Sequence, residues 1–341
     1  MTTEDYVQEQ DSQEFYEHYR YVADKGQKPL RIDKYLMNMM EGVTRNKIQN
    51  AAKAGNILVN DSQVKPNYKV RPLDVVSIVL SFPPRKIEIN AEDIPIDIVF
   101  EDDDLMVINK TPNMVVHPGY GNYTGTLLNA LKFHFEKTNQ ECEPYLVHRI
   151  DKDTSGLLLV AKNELSQSKL AHQFFEHTIE RKYHALVWGD FDEDEGTITG
   201  AIGRHEKDRR VMTVIPDNTR GKEATTHFKV IERFTYVTLV ECELETGRTH
   251  QIRAHMKYMR HPLFNDATYG GNEVLKGTTF SKYKQFVTNC FKMIPRQALH
   301  AKSLGFTHPS SSEHIFFNSE VPEDFKQVVD KWRHYAVHKI S

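Results

Sequence analysis

The chain has 341 residues, of which 39% are hydrophobic and 27% charged, with a formal net charge of −3 at pH 7. That is an ordinary globular composition with room for two domains, and no apolar run approaches the roughly 18 residues needed to cross a bilayer, so no membrane partner is expected. The three cysteines are too few and too scattered for a disulfide framework or a metal pair, and the polar, acidic start MTTEDYVQEQDSQ carries no secretory or transit pattern; the protein is read as cytoplasmic.

The charge is segregated. Residues 1–24 hold seven acids and one base, and residues 25–80 hold ten bases and four acids. The first 24 residues read as an acidic mobile tail. Residues 25–82 read as a small α+β domain. In RIDKYLMNMM, Ile32, Leu36 and Met39 recur at helical spacing. Thr44 suits the N-cap of a second helix, RNKIQNAAKAG, which Gly55 can end. Short strands then turn at Asn60-Asp61. The bases Arg31, Lys34, Arg45, Lys47 and Lys53 fall on the helices. They form either a solvated face or a surface that displaces counterions from nucleic acid.

Pro83-Pro84 marks a linker over residues 83–90, and residues 91–335 read as one larger domain of mixed strands and helices. VHRIDKDTSGLLLVAK (147–162) crowds His148, Arg149, Asp151, Lys152 and Asp153 before an apolar strand. Asn163 can cap the next helix, with Ala171, Phe174, Phe175 and Thr178 on one face. KYHALVWG alternates as a strand that places Tyr183 on one face with Ala185 and Val187. A hairpin turns at Thr235-Tyr236, and THQIRAHMKYM fits a helix.

Asp151 and Asp153 are capping or turn carboxylates on the ordinary reading. As D-x-D they could hold Mg²⁺ in a nuclease, but Arg149 and Lys152 would compete with the cation. A carboxylate kept ionised by a nearby arginine makes better electrostatic sense, and could act as nucleophile or steady a developing cation. ETGRTHQIRAHM (245–256) gathers Arg248, His250, Arg253 and His255 at the start of one helix without zinc-protease spacing. Tyr183 is either core or a stacking surface for a flat base. There is no P-loop and no nucleophile elbow, so neither cofactor nor metal is expected.

HRIDKDTSGLLLVAK closely resembles the signature of the RluA/RluD family of pseudouridine synthases. NKTPNMVVHPG (109–119), RKYHALVWG (181–189) and LETGRTHQIRAHMKYMRHPLFNDATYGG (244–271) resemble further family motifs, in the family's order. Residues 28–80 resemble the RNA-binding module of the ribosomal S-four type. The resemblance implies an α+β fold: a catalytic domain on a large mixed, mainly antiparallel sheet with flanking helices and a central cleft, plus the small N-terminal RNA-binding domain. It implies a cofactor-free enzyme that turns uridines of RNA into pseudouridine, most often in 23S ribosomal RNA, with transfer RNA left open; a monomer is expected. Asp151 would be the catalytic aspartate, Tyr183 the residue beneath the uracil and Arg253 the partner of the aspartate. Arg149, His148, Arg248 and His250 would join the helix bases as RNA contacts, and Asp153 would be structural. A binding or assembly factor without chemistry is the competing reading. Where the family has N-K-P-x-G, this chain has Asn109-Lys110-Thr111-Pro112-Asn113, and Asn113 can supply the left-handed turn.

Overall fold

The computed structural model describes residues 16–40, 43–80, 89–119, 122–205, 208, 211–215 and 221–340. The chain forms two compact units that divide after residue 87.

In the first unit, helices Ile32–Met39 and Arg45–Lys53 pack on a four-stranded sheet. Ile32, Tyr35, Leu36, Ile48 and Ala52 meet Ile57, Val59, Val76 and Ile78 in one core. The Thr44 hydroxyl accepts from the Lys47 amide (3.3 Å) as the cap of the second helix. Gly55 ends that helix at φ 78°, and Asn60 and Asp61 turn the hairpin at φ 49° and 63°. The acidic tail is corrected in part. Tyr16–Val22 is a strand, antiparallel to Val75–Leu80. A bulge between Glu17 and Tyr19 breaks the alternation that would have announced it. Residues 1–15 of the expected tail, and 83–88 of the expected linker, lie outside the described residues. Ile89 already packs on the second core.

Ten strands of the second unit share one sheet. Its main order is Glu195–Thr199, Thr225–Arg233, Val237–Leu244, Glu180–Trp188, Leu299–Thr307, Ser155–Ala161, Leu105–Lys110 and Ile98–Glu101. Ser155–Ala161 and Leu299–Thr307 run parallel, and the other neighbours antiparallel. The mixed, mainly antiparallel sheet is the expected one.

Ser155–Ala161 is buried along its whole length because both faces are covered. Leu158 and Val160 pack with helix Leu127–Lys137, while Leu157, Leu159 and Ala161 pack with Leu170 of helix Glu164–Phe175. A β-carbon on Gly156, at φ +109°, would stand 2.2 Å from the Ala301 carbonyl oxygen, so only glycine allows the parallel pair to begin there. Asn163 caps helix Glu164–Phe175 by accepting from the Ser166 amide (2.8 Å). That helix stops before Thr178 and buries Ser166 and Leu170; Phe175, expected on its packed face, is 76% exposed.

Candidate active site

Asp151 lies on the turn that enters strand Ser155–Ala161, where its own carbonyl accepts from the Thr154 amide (3.1 Å). Two buried cations hold this turn by its carbonyls. Lys110 Nζ donates to the Lys152 oxygen (3.0 Å), and also to the carbonyls of Thr111 and Met114. Arg296 donates to the Asp153 oxygen (3.0 Å) and pairs with Asp324 at the start of helix Glu323–Ile340. Burial brings the Lys110 ammonium down to about 7, opposed by the nearby charges of Asp153 and Asp151. Asn113, in the loop that Lys110 clasps, adopts φ 64°, the left-handed turn expected of it. The crowd of charge before the strand is therefore a braced turn.

Arg253 comes from helix Gln251–Tyr258. Its Nη1 donates to Asp151 Oδ2 at 2.9 Å. Asp266, 1% exposed, grips the other edge through Nε (2.7 Å) and Nη2 (2.9 Å). The Tyr269 ring faces the guanidinium at 4.9 Å. Burial works against the charge on Arg253, but the two carboxylates outweigh it and hold the pKa above its ordinary value. Asp151 Oδ1 accepts no hydrogen bond among the described residues, so one oxygen is anchored and the other is open.

The turn before Arg253 is fixed by Gln251, which accepts from the Arg248 amide (2.9 Å) and donates to the Thr225 carbonyl (2.9 Å). His250 takes a left-handed backbone (φ 53°), and its Nδ1 lies 3.1 Å from the Tyr269 hydroxyl, which accepts from the Met212 amide. Its Nε2 lies 3.9 Å from Asp151 Oδ2. Burial lowers the His250 pKa against the pull of Asp151, which favours the uncharged ring.

Tyr183, 7% exposed, sits mid-strand in Glu180–Trp188, opposite Cys242 and Ala301. Burial raises its phenol pKa above the ordinary value. Asp151, Tyr183 and Arg253 line one cavity of about 460 Å³, within the size range of small-molecule sites (~300–1,000 Å³). An anchored carboxylate, an aromatic face and apolar walls can receive a flat ring joined to a sugar.

Arg149, Arg248 and His250 line the same cavity. His148 does too, though not as a cation. Its Nε2 accepts from the Leu159 amide (2.9 Å), its ring stacks on Phe174 (4.7 Å), and burial drives its pKa to about 3. A neutral acceptor spent on a strand amide cannot bind phosphate by charge. Sequence reasoning missed Asp266, whose signal was only an acid within NDATYGG, and Arg181, which looked like one base in a strand.

In the first unit, Lys34, Arg45, Lys47 and Lys53 are exposed. Arg31 and Arg45 converge on Asp33, which is fully buried and also accepts from Gln49 (2.8 Å) and the Lys34 amide (2.9 Å). Burial would raise the Asp33 pKa, but these donors outweigh it and hold the carboxyl below the usual range. Two of the five expected RNA contacts thus also bind a carboxylate of their own unit.

No helix among the described residues is long and apolar enough to cross a membrane. The family model for RNA pseudouridylate synthase matches residues 104–258, and that for the S4 domain matches residues 30–76. An uncharacterized RNA pseudouridine synthase of Chlorobaculum parvum is 45% identical, over 91% of this chain and 96% of its own. The ribosomal large subunit pseudouridine synthase D of Vibrio vulnificus is 38% identical, over 90% of this chain and 92% of its own. Among solved structures, human RNA pseudouridylate synthase domain containing 1 superposes with a TM-score of 0.51 at 25% identity, covering 74% of this chain and 98% of that one. The chain belongs to the RNA pseudouridine synthase family, as an isomerase acting on RNA with an S4 domain ahead of its catalytic unit.

Proposed function

We propose that the enzyme isomerises uridines of large-subunit ribosomal RNA at Asp151, without a cofactor. One observation carries the reading. Asp151 Oδ2 is held by Arg253 at 2.9 Å while Oδ1 is open, in a cavity that Tyr183 also lines.

The uridine leaves its stack, at a cost of a few kcal/mol that is smallest in a loop. Its ring lies on Tyr183, with the sugar toward Asp151. The N1–C1′ bond breaks and its electron pair stays with the uracil. Oδ1 meets the electron-poor sugar, either by bonding to C1′ or by taking the C2′ proton to leave a glycal. Both routes need a carboxylate held in place, and the bond from Arg253 holds it. The uracil turns and C5 bonds to C1′, as the Asp151–C1′ bond breaks on the first route or as Asp151 returns the C2′ proton on the second; C5 then gives up its proton and N1 takes one up. Atoms and electrons balance within the nucleotide, which is why no cofactor is needed.

The alternative of a metal nuclease at Asp151 and Asp153 gains nothing from the geometry. Among the described residues the acid and histidine group close enough to share an ion is Asp102, Asp104 and His308. The choice of RNA rests on relatives named for the large ribosomal subunit, and on the S4 domain as a second hold on RNA. Pseudouridine mapping of ribosomal and transfer RNA from cells lacking the enzyme tests it. We expect positions lost from large-subunit RNA, restored by the wild-type gene and not by Asp151→Asn. An unchanged ribosomal map would overturn the substrate. A growth defect that Asp151→Asn corrects would point to an assembly role instead.

A further inference from the structure

We infer that Arg181 is a further catalytic residue of this reaction: it takes up the negative charge that gathers on the uracil when the glycosidic bond breaks. The inference rests on the reading of Asp151 given above.

Arg181 precedes Tyr183 by two residues in strand Glu180–Trp188, so both side chains leave the same face and both line the cavity with Asp151. It is 6% exposed. Among the described residues no carboxylate lies within ion-pair distance of it. The other buried arginines differ: Arg253 has Asp151 and Asp266, and Arg296 has Asp324. The Arg181 guanidinium lies over the Phe174 ring at 5.1 Å. Its Nη2 reaches the carbonyls of Leu244 and Glu245 only at 3.4 Å, and its buried Nε has no acceptor. Gly247 leaves room for the head group: a β-carbon there would stand 2.8 Å from Nη1.

Burying a charge with neither counter-ion nor full hydrogen bonding is costly. Burial lowers the Arg181 pKa, yet a guanidinium stays protonated all the same. Such a cation makes sense where the ligand brings the anion. RNA offers two: its phosphates and the departing base. Burial separates them. Arg149 is exposed and Arg248 half-buried, as suits phosphates at the mouth. Arg181 is as buried as Tyr183, the residue expected to lie against the base.

When N1–C1′ breaks, N1 keeps both electrons and the charge spreads onto O2 and O4. An Arg181 N–H donates to one of these oxygens. The charge disappears when C5 returns an electron pair to C1′. The interaction is therefore strongest at the transition state, the condition for raising kcat rather than affinity.

The test is single-turnover kinetics, with enzyme in excess over ribosomal RNA from cells lacking the enzyme. Arg181→Met should lower the maximal rate roughly 10²- to 10³-fold, as the loss of one preorganised donor does. The half-saturating enzyme concentration should hold within about 3-fold. Because the variant removes an uncompensated charge, its Tm should stay or rise, whereas a structural role predicts a fall. Arg181→Lys should recover part of the rate. A wild-type maximal rate in Arg181→Met, or a defect confined to half-saturation, overturns the inference; the latter would make Arg181 a phosphate contact. Asp151→Asn runs beside it. Turnover in that variant sinks the reading of the whole site, while full speed in Arg181→Met alone sinks only this one.

Discussion

Asp33 in the first unit and Asp151 in the second are each held by arginine, and they end differently. Asp33 is saturated. Its Oδ1 accepts from Arg31 Nε (3.2 Å) and the Lys34 amide, and its Oδ2 from Arg31 Nη2, Arg45 and Gln49. Asp151 keeps one anchored oxygen and one open, with its side chain 21% exposed. A carboxylate whose lone pairs are all spent is a fastener: it joins two helices and cannot meet a substrate. One held on a single edge is fixed, yet still has an oxygen to give. Carboxylate and guanidinium serve structure in one unit and suit chemistry in the other, and the difference lies in how many donors arrive.

The sharpest way to break this comparison is to remove each charge in turn. Asp151→Asn should lose roughly 10⁴-fold or more in turnover while Tm and RNA affinity hold. Substantial residual pseudouridine formation by the purified variant would mean the open oxygen is not the reactive one. Arg253→Lys keeps the charge but loses the planar fork that spans Asp266 and Asp151. A rate loss of roughly 10²- to 10³-fold is expected. A near-wild-type rate would show that point charge suffices and that the fitted geometry is incidental.

Smaller effects sharpen it. Asp266→Asn leaves Arg253 with one full carboxylate partner, so the guanidinium can drift from Asp151. We expect the maximal rate to fall about 10-fold and stability by about 1–3 kcal/mol, since Asp266 is buried and its bonds are to a charged group. A rate loss without any change in Tm would contradict that anchoring. Asp33→Asn should cost the first unit about 1–3 kcal/mol, read by denaturant unfolding, and leave the maximal rate untouched.

Asp33 also carries a pH signature. Its folded pKa lies below the unfolded value of about 3.9, so its stabilisation is complete above that value and drains away as pH falls below it. Wild type should lose this contribution in acid, and Asp33→Asn should not show that part of the loss. Identical acid unfolding curves for the two proteins would mean the arginines do not hold the aspartate in solution.

Local patterns carried much of the fold. Helical spacing in RIDKYLMNMM, the Thr44 and Asn163 caps, the turn at Asn60-Asp61 and the alternation of KYHALVWG are decided by neighbours in sequence, and each formed where its pattern placed it. Asp151, Tyr183 and Arg253 were legible as motif positions, but their meeting was not a local matter: Arg253 reaches Asp151 across 102 residues of chain. Strand Tyr16–Val22 stayed hidden because a bulge breaks its period and its partner lies far along the chain. His148 reads as one more RNA-facing residue in the motif, and only folding shows one of its nitrogens accepting from the Leu159 amide. Asp266 and Arg181 carried no local signal, since a charge means one thing with a partner and another without, and only packing decides which. Sequence settled which side chains this protein has for its chemistry and which stretches coil or extend. Tertiary structure settled which charges are matched, because Coulomb energy and desolvation depend on distance and burial, and neither is written in the order of residues.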